Sequence, residues 1–206
     1  MYQTIIENAT YEIVEKKSKF IANFIYVKSK DDAEEKIKEI KKKYFDARHN
    51  CFAYRVLENQ NIYEKSSDDG EPSGTAGAPM LNILQKNRLC NVLIVVTRYF
   101  GGILLGTGGL VRCYSGSTIG AIENSNKIEI EPGIEYNISI DYQDFQSVQY
   151  YCKKNNINII EAKYEEDVKC LIEMKLDIKE RFIKDIQDRK VNIKEYEEGK
   201  SKYVKI

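Results

Sequence analysis

Histidine is nearly absent from these 206 residues, and His49 is the only one. A zinc site built on several histidines is therefore excluded. The five cysteines are odd in number and include no CxxC pair. That argues against a disulfide framework and fits reduced thiols in a cytoplasmic protein. The start, MYQTIIENATYEI, has no basic segment leading into an apolar one, so no secretory signal is expected. No apolar run approaches the length of a membrane span, and no membrane partner is expected. Excess charge is missing too. Acids and bases number 32 each; up to Pro132 there are 18 bases and 17 acids, and beyond it 14 and 15. Neither half is a bulk electrostatic magnet for nucleic acid, so any such surface has to be a local patch. Length alone allows one or two domains with a real core.

What is present centres on Asn91–Ser117, NVLIVVTRYFGGILLGTGGLVRCYSGS. Val92–Val96 is an apolar run dense in β-branched residues, which predicts a strand buried on both faces. It ends in Thr97, Arg98, Tyr99 and Phe100, and then Gly101, Gly102, Gly106, Gly108 and Gly109 follow within nine residues. Such a density marks a loop with unusual backbone geometry or close approach. Thr107 is placed to cap a helix that begins near Gly108 and carries Arg112. Strand, glycine loop, helix start and two arginines together predict an anion site. The alternative is that the glycines serve only a tight turn and a close helix–sheet contact. A P-loop is excluded by the missing lysine, and the dinucleotide fingerprint fails because Val111 stands at its third glycine.

Upstream, Tyr11–Glu15 and Phe20–Val27 read as strands around a basic turn, Lys16–Lys19. Ser29 and Asp32 form a capping-box-like start to a helix whose inner face is Ala33, Ile37, Ile40 and Tyr44. Residues 47–57, ARHNCFAYRVL, run from a helix exit into a strand. His49 and Cys51 share a face there, roughly 7 Å apart. Side chains pointing in parallel do not form the facing bond a Cys–His nucleophile needs, and no orienting third residue is evident. A strand near Ile62–Lys65 leads to Ser66–Pro79, a long loop with Asp68, Asp69, Glu71, Ser73, Gly74 and Thr75. Long structured loops are disproportionately functional, but the acids match no calcium-loop spacing. Helix character resumes at Met80, and the later helix after Gly109 is rich in small residues, predicting close packing. Lys127–Glu131 is one more strand.

Pro132-Gly133 reads as the domain boundary, giving domains 1–132 and 133–206. Beyond it, Ile134–Ile140 alternates as a strand and Phe145, Val148 and Tyr151/Cys152 form a helix face after Asp144. Ile157–Tyr164 is a strand with a register break, and Val168–Leu176 alternates strictly. Ile178, Phe182 and Ile186 form a second helix face, and Val191–Tyr196 a last strand. The order β-α-β-β-α-β is that of the ferredoxin-like split βαβ. No loop there carries catalytic-looking chemistry, and a docking or supporting role is expected.

Three segments carry a family resemblance: DDGEPSGTAGAPML (68–81), VVTRYFGGILLGTGGLVRCYS (95–115) and ARHNCFAYR (47–55). Together they resemble the YigZ/IMPACT family in its bacterial two-domain form. The resemblance implies an α/β (α+β) fold. The N-terminal domain would be similar to domain IV of elongation factor G and to a ribosomal-protein fold, with a left-handed βαβ crossover. The C-terminal domain would be similar to domain V of that factor. Eukaryotic members regulate translation by competing for the activator of a stress-responsive kinase. The resembling region begins close to Met1, so the extra N-terminal domain used in that regulation, and the kinase role with it, are not expected here.

Three functions compete. In the first, the protein binds RNA, the ribosome or a translation partner. Arg98 and Arg112 would contact phosphate, the amides of Gly106–Gly109 would position it, and Tyr99, Phe100 or Tyr54 would stack on a base. A salt bridge from Asp69 or Glu71 to either arginine would neutralise that site. In the second, an enzyme acts on a small phosphorylated or acyl substrate in the same cleft. Asp69 and Glu71 would then be acid/base groups, His49 a proton carrier, and Thr75 or Thr107 anion contacts. In the third, the C-terminal sheet is a protein-interaction module. No nucleophile–base–orienter set is recognisable, no cofactor or metal is implied, and the oligomeric state is not legible.

Overall fold

The computed structural model describes residues 2–58 and 61–205, which form two compact units, 1–129 and 130–206. The first contains β1 (Tyr2–Ile5), β2 (Ala9–Glu15), β3 (Ser18–Tyr26), α1 (Lys30–Lys43), β4 (His49–Glu58), β5 (Asn61–Ser67), α2 (Gly77–Lys86), β6 (Val92–Tyr99) and α3 (Gly106–Glu123). The apolar run at Val92 becomes the middle strand of a five-stranded antiparallel sheet ordered β2-β3-β6-β4-β5. Because β3 and β4 each run antiparallel to β6 between them, they are parallel to one another and are joined through α1. Alternation along β6 feeds two cores. Val92, Ile94 and Val96 pack with Phe20, Phe24, Met80, Leu84 and Tyr114, whereas Leu93 and Val95 pack with Ala33, Ile37 and Ile40 of α1.

Local chemistry explains most of the helix and turn positions. Ser29 Oγ accepts from Asp32 N–H at 3.1 Å, and Asp32 Oδ2 accepts from Lys28 N–H at 2.8 Å, a reciprocal cap on α1. The β2–β3 turn is tighter than the basic run implied. Only Lys16 and Lys17 lie in it, with φ of 45° and 64°, the two left-handed residues of a two-residue hairpin. The strand β1 went unread in the sequence. Helix α2 begins at Gly77, earlier than Met80, because the Asp68 carboxylate caps it from across the loop. Helix α3 begins at Gly106 with Leu105 as N-cap and no side-chain cap bond, so Thr107 does not cap it. Gly106, at φ +70°, turns the chain into the helix two residues early. The predicted close packing is set by Gly120: a Cβ there would lie 2.3 Å from the Tyr11 ring.

The second unit holds most of β7 (Lys127–Ile140), then α4 (Phe145–Lys154), β8 (Asn158–Tyr164), β9 (Val168–Lys175), a 3-10 turn at Leu176–Ile178, α5 (Lys179–Gln187) and β10 (Glu195–Lys205). Its strands order β10-β7-β9-β8, all antiparallel, which is the ferredoxin-like arrangement. Ile134, Tyr136, Ile138, Cys170, Ile172 and Met174 face Val148, Cys152 and Phe182 in one core. The register break in β8 falls between Ile159 and Glu161. Strand β7 runs unbroken through Pro132-Gly133, and the compact units divide at Glu129/Ile130, three residues before the expected boundary. Gly133 is not a linker glycine, since its Cβ would sit 2.5 Å from Val204 Cγ1 and 2.6 Å from the Met174 carbonyl. The last strand begins at Glu195, not Val191, and continues to Lys205. Its run of Glu, Gly and Lys hides it from a hydrophobic-period reading, because β10 pairs only with β7 and leaves much of its length polar.

Candidate functional site

The loop after β5 is fastened by its own acids. Asp68 Oδ1 accepts from the Ala76 and Gly77 amides at 3.0 and 2.8 Å, and Oδ2 from the Gly74 amide at 2.8 Å. Burial pushes the Asp68 carboxyl up, but the Gly74, Gly77 and Ala76 donors outweigh it and hold the group below its ordinary value. Asp69 Oδ1 meets Lys41 Nζ at 2.6 Å while Oδ2 accepts from Asn50 N–H at 2.7 Å. Thr75 is buried and donates its hydroxyl to the Pro72 carbonyl at 2.6 Å, whereas Ser73 is exposed. Asp69 and Thr75 thus spend their polar atoms on the loop itself.

Folding this loop over the sheet brings Glu71 to Arg98. Arg98 Nη1 donates to Glu71 Oε1 at 2.6 Å, with side-chain exposures of 7% and 3%. Tyr114 Oη, from α3, donates to the same oxygen at 2.9 Å. His49, opposite Arg98 in the β4–β6 register, shares Nδ1 with the Asp69 carbonyl at 2.8 Å. A carbonyl only accepts, so the proton is on Nδ1, and Nε2 faces Glu71 Oε1 at 3.9 Å. Cys51 Sγ lies 2.9 Å from the Asp68 carbonyl and 3.3 Å from Tyr114 Oη. Burial pushes the Cys51 thiol up to about 12 and drives the Tyr114 hydroxyl upward too, reinforced by Cys51 and Glu71. Both stay protonated at neutral pH, so Cys51 is not an activated nucleophile. The Arg98 guanidinium lies 5.4 Å from the Phe20 ring and 5.5 Å from that of Phe100, and its Nε has no hydrogen-bond partner. Arg98 is therefore an internal clasp that holds the acid loop against the end of β6.

Arg112 is elsewhere. It is exposed on α3 and shares a groove of about 330 Å³ with Val14, Glu15, Lys16, Leu105 and Gly109. Gly106, Thr107 and Gly108 at the helix start are exposed, while Gly109 is buried. Gly101 is structural: a Cβ would meet the Lys17 carbonyl carbon at 2.0 Å, and its N–H donates to Ser18 Oγ at 3.1 Å. Gly102 needs its freedom for φ +86°. Of the three rings, Tyr54 is buried with its hydroxyl on Glu34 at 3.3 Å and cannot face a base. Tyr99 is half-buried and donates to Asp46 at 2.8 Å. Phe100 is 39% exposed and has the Arg48 guanidinium 5.9 Å from its ring centre.

The sequence-predicted residues thus divide into two groups. Arg98, His49 and Glu71 meet in the interior, with Asp69 on the His49 ring. Arg112, Gly106, Thr107, Gly108 and Phe100 remain on the surface. Tyr114 and Arg48 were missed, and Asp68 and Lys16 were noted only as a loop acid and part of a basic turn. Only Asp68 left a signal, an Asx residue ahead of a Gly-Thr-Ala-Gly helix entry. Among the described residues no three His, Cys, Asp or Glu side chains are placed to hold a metal ion, and no helix is long and apolar enough to cross a membrane.

Comparison with known proteins matches residues 16–122 to the Impact N-terminal domain and residues 138–189 to a Domain of unknown function (DUF1949). IMPACT family member YvyE of Bacillus subtilis (strain 168) is 41% identical over 167 residues, 81% of this chain and 76% of that one. IMPACT family member YigZ of Escherichia coli (strain K12) is 33% identical over 168 residues, 80% of this chain and 82% of that one. A crystal structure described as a hypothetical protein aligns over 100% of this chain and 97% of its own at a TM-score of 0.65 and 28% identity.

Proposed function

The chain belongs to the IMPACT family, and from that premise we propose that it acts in translation by binding RNA of the translation machinery. The binding surface is the start of α3 with the adjoining β2–β3 hairpin. One observation carries this reading: the 18-residue α3 opens without a side-chain cap at exposed Gly106, Thr107 and Gly108, beside a groove shared by Arg112 and Lys16. Uncapped N–H groups and the positive end of the helix dipole favour phosphate, and Arg112 and Lys16 against the single carboxylate of Glu15 leave the groove net positive. Exposed Phe100, flanked by Arg48, is the ring best placed for a base to stack on. Arg98 does not touch RNA in this scheme. It ties the acid loop to the end of β6 through Glu71, so its role is positioning.

The acid loop supports binding over catalysis. Asp69 is occupied by Lys41 and the Asn50 amide, Glu71 by Arg98 and Tyr114, and Cys51 keeps its proton. The test is crosslinking of the tagged full chain in cells, followed by sequencing of recovered RNA. Arg112→Ala with Lys16→Ala lies on the surface and leaves the Arg98–Glu71 clasp intact. Loss of RNA recovery in that variant supports the reading. Equal recovery from both proteins, or none from either, overturns it and moves the search to a protein partner.

A further inference from the structure

The face of the C-terminal sheet opposite α4 and α5 is polar, and its charge is unbalanced. Register places Glu197, Asn137, Leu171 and Glu161 in one row across β10, β7, β9 and β8, and Glu195, Ser139, Lys169 and Lys163 in the next. These residues line a groove of about 620 Å³. Its two lysines are already paired, Lys169 with Glu165 at 2.7 Å and Lys163 with Glu161 at 3.4 Å. Glu195 and Glu197 are exposed, and among the described residues no ion pair involves either. Two lysines on or beside β10 are used elsewhere: Lys202 meets Glu135 and Glu173, and Lys194 meets Asp167. Two uncompensated carboxylates therefore stand side by side along one wall of the groove.

We propose that this sheet face binds an extended, Lys/Arg-rich protein segment whose cations fall at alternate positions. The spacing selects that occupant. Glu195 and Glu197 are two residues apart on one strand, hence roughly 7 Å apart on one face. An extended segment lying along β10 repeats its side chains at the same interval, so residues i and i+2 meet both carboxylates at once. Leu171, on the same face of β9, offers a half-buried apolar floor for the aliphatic stems of Lys or Arg. Nucleic acid is repelled by the same charges, so this face and the α3 surface select different partners. The inference does not depend on the RNA reading.

The test uses the full chain and a fluorescein-labelled decapeptide of alternating lysine and alanine, with an alternating glutamate–alanine peptide as control. Binding is read by anisotropy and mapped by amide chemical shifts. The cationic peptide is expected to bind, with shifts concentrated on Asn137, Leu171, Glu195 and Glu197, and the acidic peptide is not. Glu195→Gln/Glu197→Gln, two exposed positions, is expected to weaken binding about five- to tenfold, the loss of two surface ion pairs. Glu7→Gln/Glu12→Gln in the first unit should leave affinity unchanged. Absence of binding by the wild-type chain, equal affinity in the Glu195/Glu197 variant, or shifts mapping to the first unit would each overturn the proposal.

Discussion

Removing the charge of Glu71 should loosen the whole first unit, and the size of the effect follows from burial. Glu71→Gln keeps the shape of the side chain but leaves the Arg98 guanidinium 7% exposed with no counter-charge. Breaking a buried pair from one side costs about 3–5 kcal/mol, because the surviving charge has neither water nor a partner. A domain has only about 5–15 kcal/mol in hand, so this is a large share. The expected readout is hydrogen exchange by mass spectrometry on the full chain. Peptides from β4 and β6 should exchange roughly a hundred- to several-thousand-fold faster, at about tenfold per 1.4 kcal/mol. Peptides from β7 to β10 should be unchanged and serve as the internal control. Arg98→Met should cost a similar amount, since it strands Glu71 with only the Tyr114 hydroxyl. The double variant should cost at least about 2 kcal/mol less than the two single losses combined, because no charge is then left buried. If each single variant costs under about 1 kcal/mol, or the double shows simple additivity, the pair is effectively solvated and the clasp argument is wrong.

Other outcomes follow from the same geometry. Asp68→Ala strips the cap from the Gly74, Ala76 and Gly77 amides and should lower stability by about 2–3 kcal/mol in urea unfolding. The Asp68 carboxyl is held below its unfolded value. Its stabilisation is therefore fully present above the ordinary carboxylate range near 4 and is lost as pH falls through the lower folded value. The wild type should show an acid limb there that Asp68→Asn flattens. Gly101→Ala should destabilise by about 2 kcal/mol or more in thermal melts, because its Cβ meets backbone. Gly108→Ala, with open space around it in a helix, should gain about 0.5–1 kcal/mol. All five cysteines are buried, and burial pushes Cys51 to about 12 and Cys90 and Cys152 to about 11. Burial keeps these thiols protonated and out of reach, so Ellman's reagent should label the native chain at the rate of unfolding. Rapid labelling of one thiol in native protein would contradict that burial.

Much of the architecture was legible because it is written in local periods. The Val92 run announced a strand with two buried faces, and β6 has them. Ser29 and Asp32 announced a cap and form one. The alternation of Val168, Cys170, Ile172 and Met174 announced one buried face of β9. Capping, helix period and strand period each act within a few residues, so sequence alone carries them. The last strand was read over Val191–Tyr196, but the bounds of β10 escaped for the complementary reason, its residues being chosen by pairing with β7 and by ion pairs with neighbouring elements.

The candidate site was legible in composition but not in assignment. Sequence by itself placed Arg98, five glycines and Arg112 after one buried strand and His49 and Cys51 on one face, with a salt bridge from Asp69 or Glu71 to either arginine as one alternative. Only the tertiary structure decided which arginine is free. Arg98 and Glu71 are 27 residues apart, and their meeting depends on the acid loop folding back under Asp68's three amide bonds. Arg112, six residues beyond Gly106 on α3, faces water because helical phase turns it away from the sheet that buries Leu110, Cys113 and Tyr114. Charge and residue type are properties of the chain; whether a charge meets solvent or a counter-charge is a property of packing.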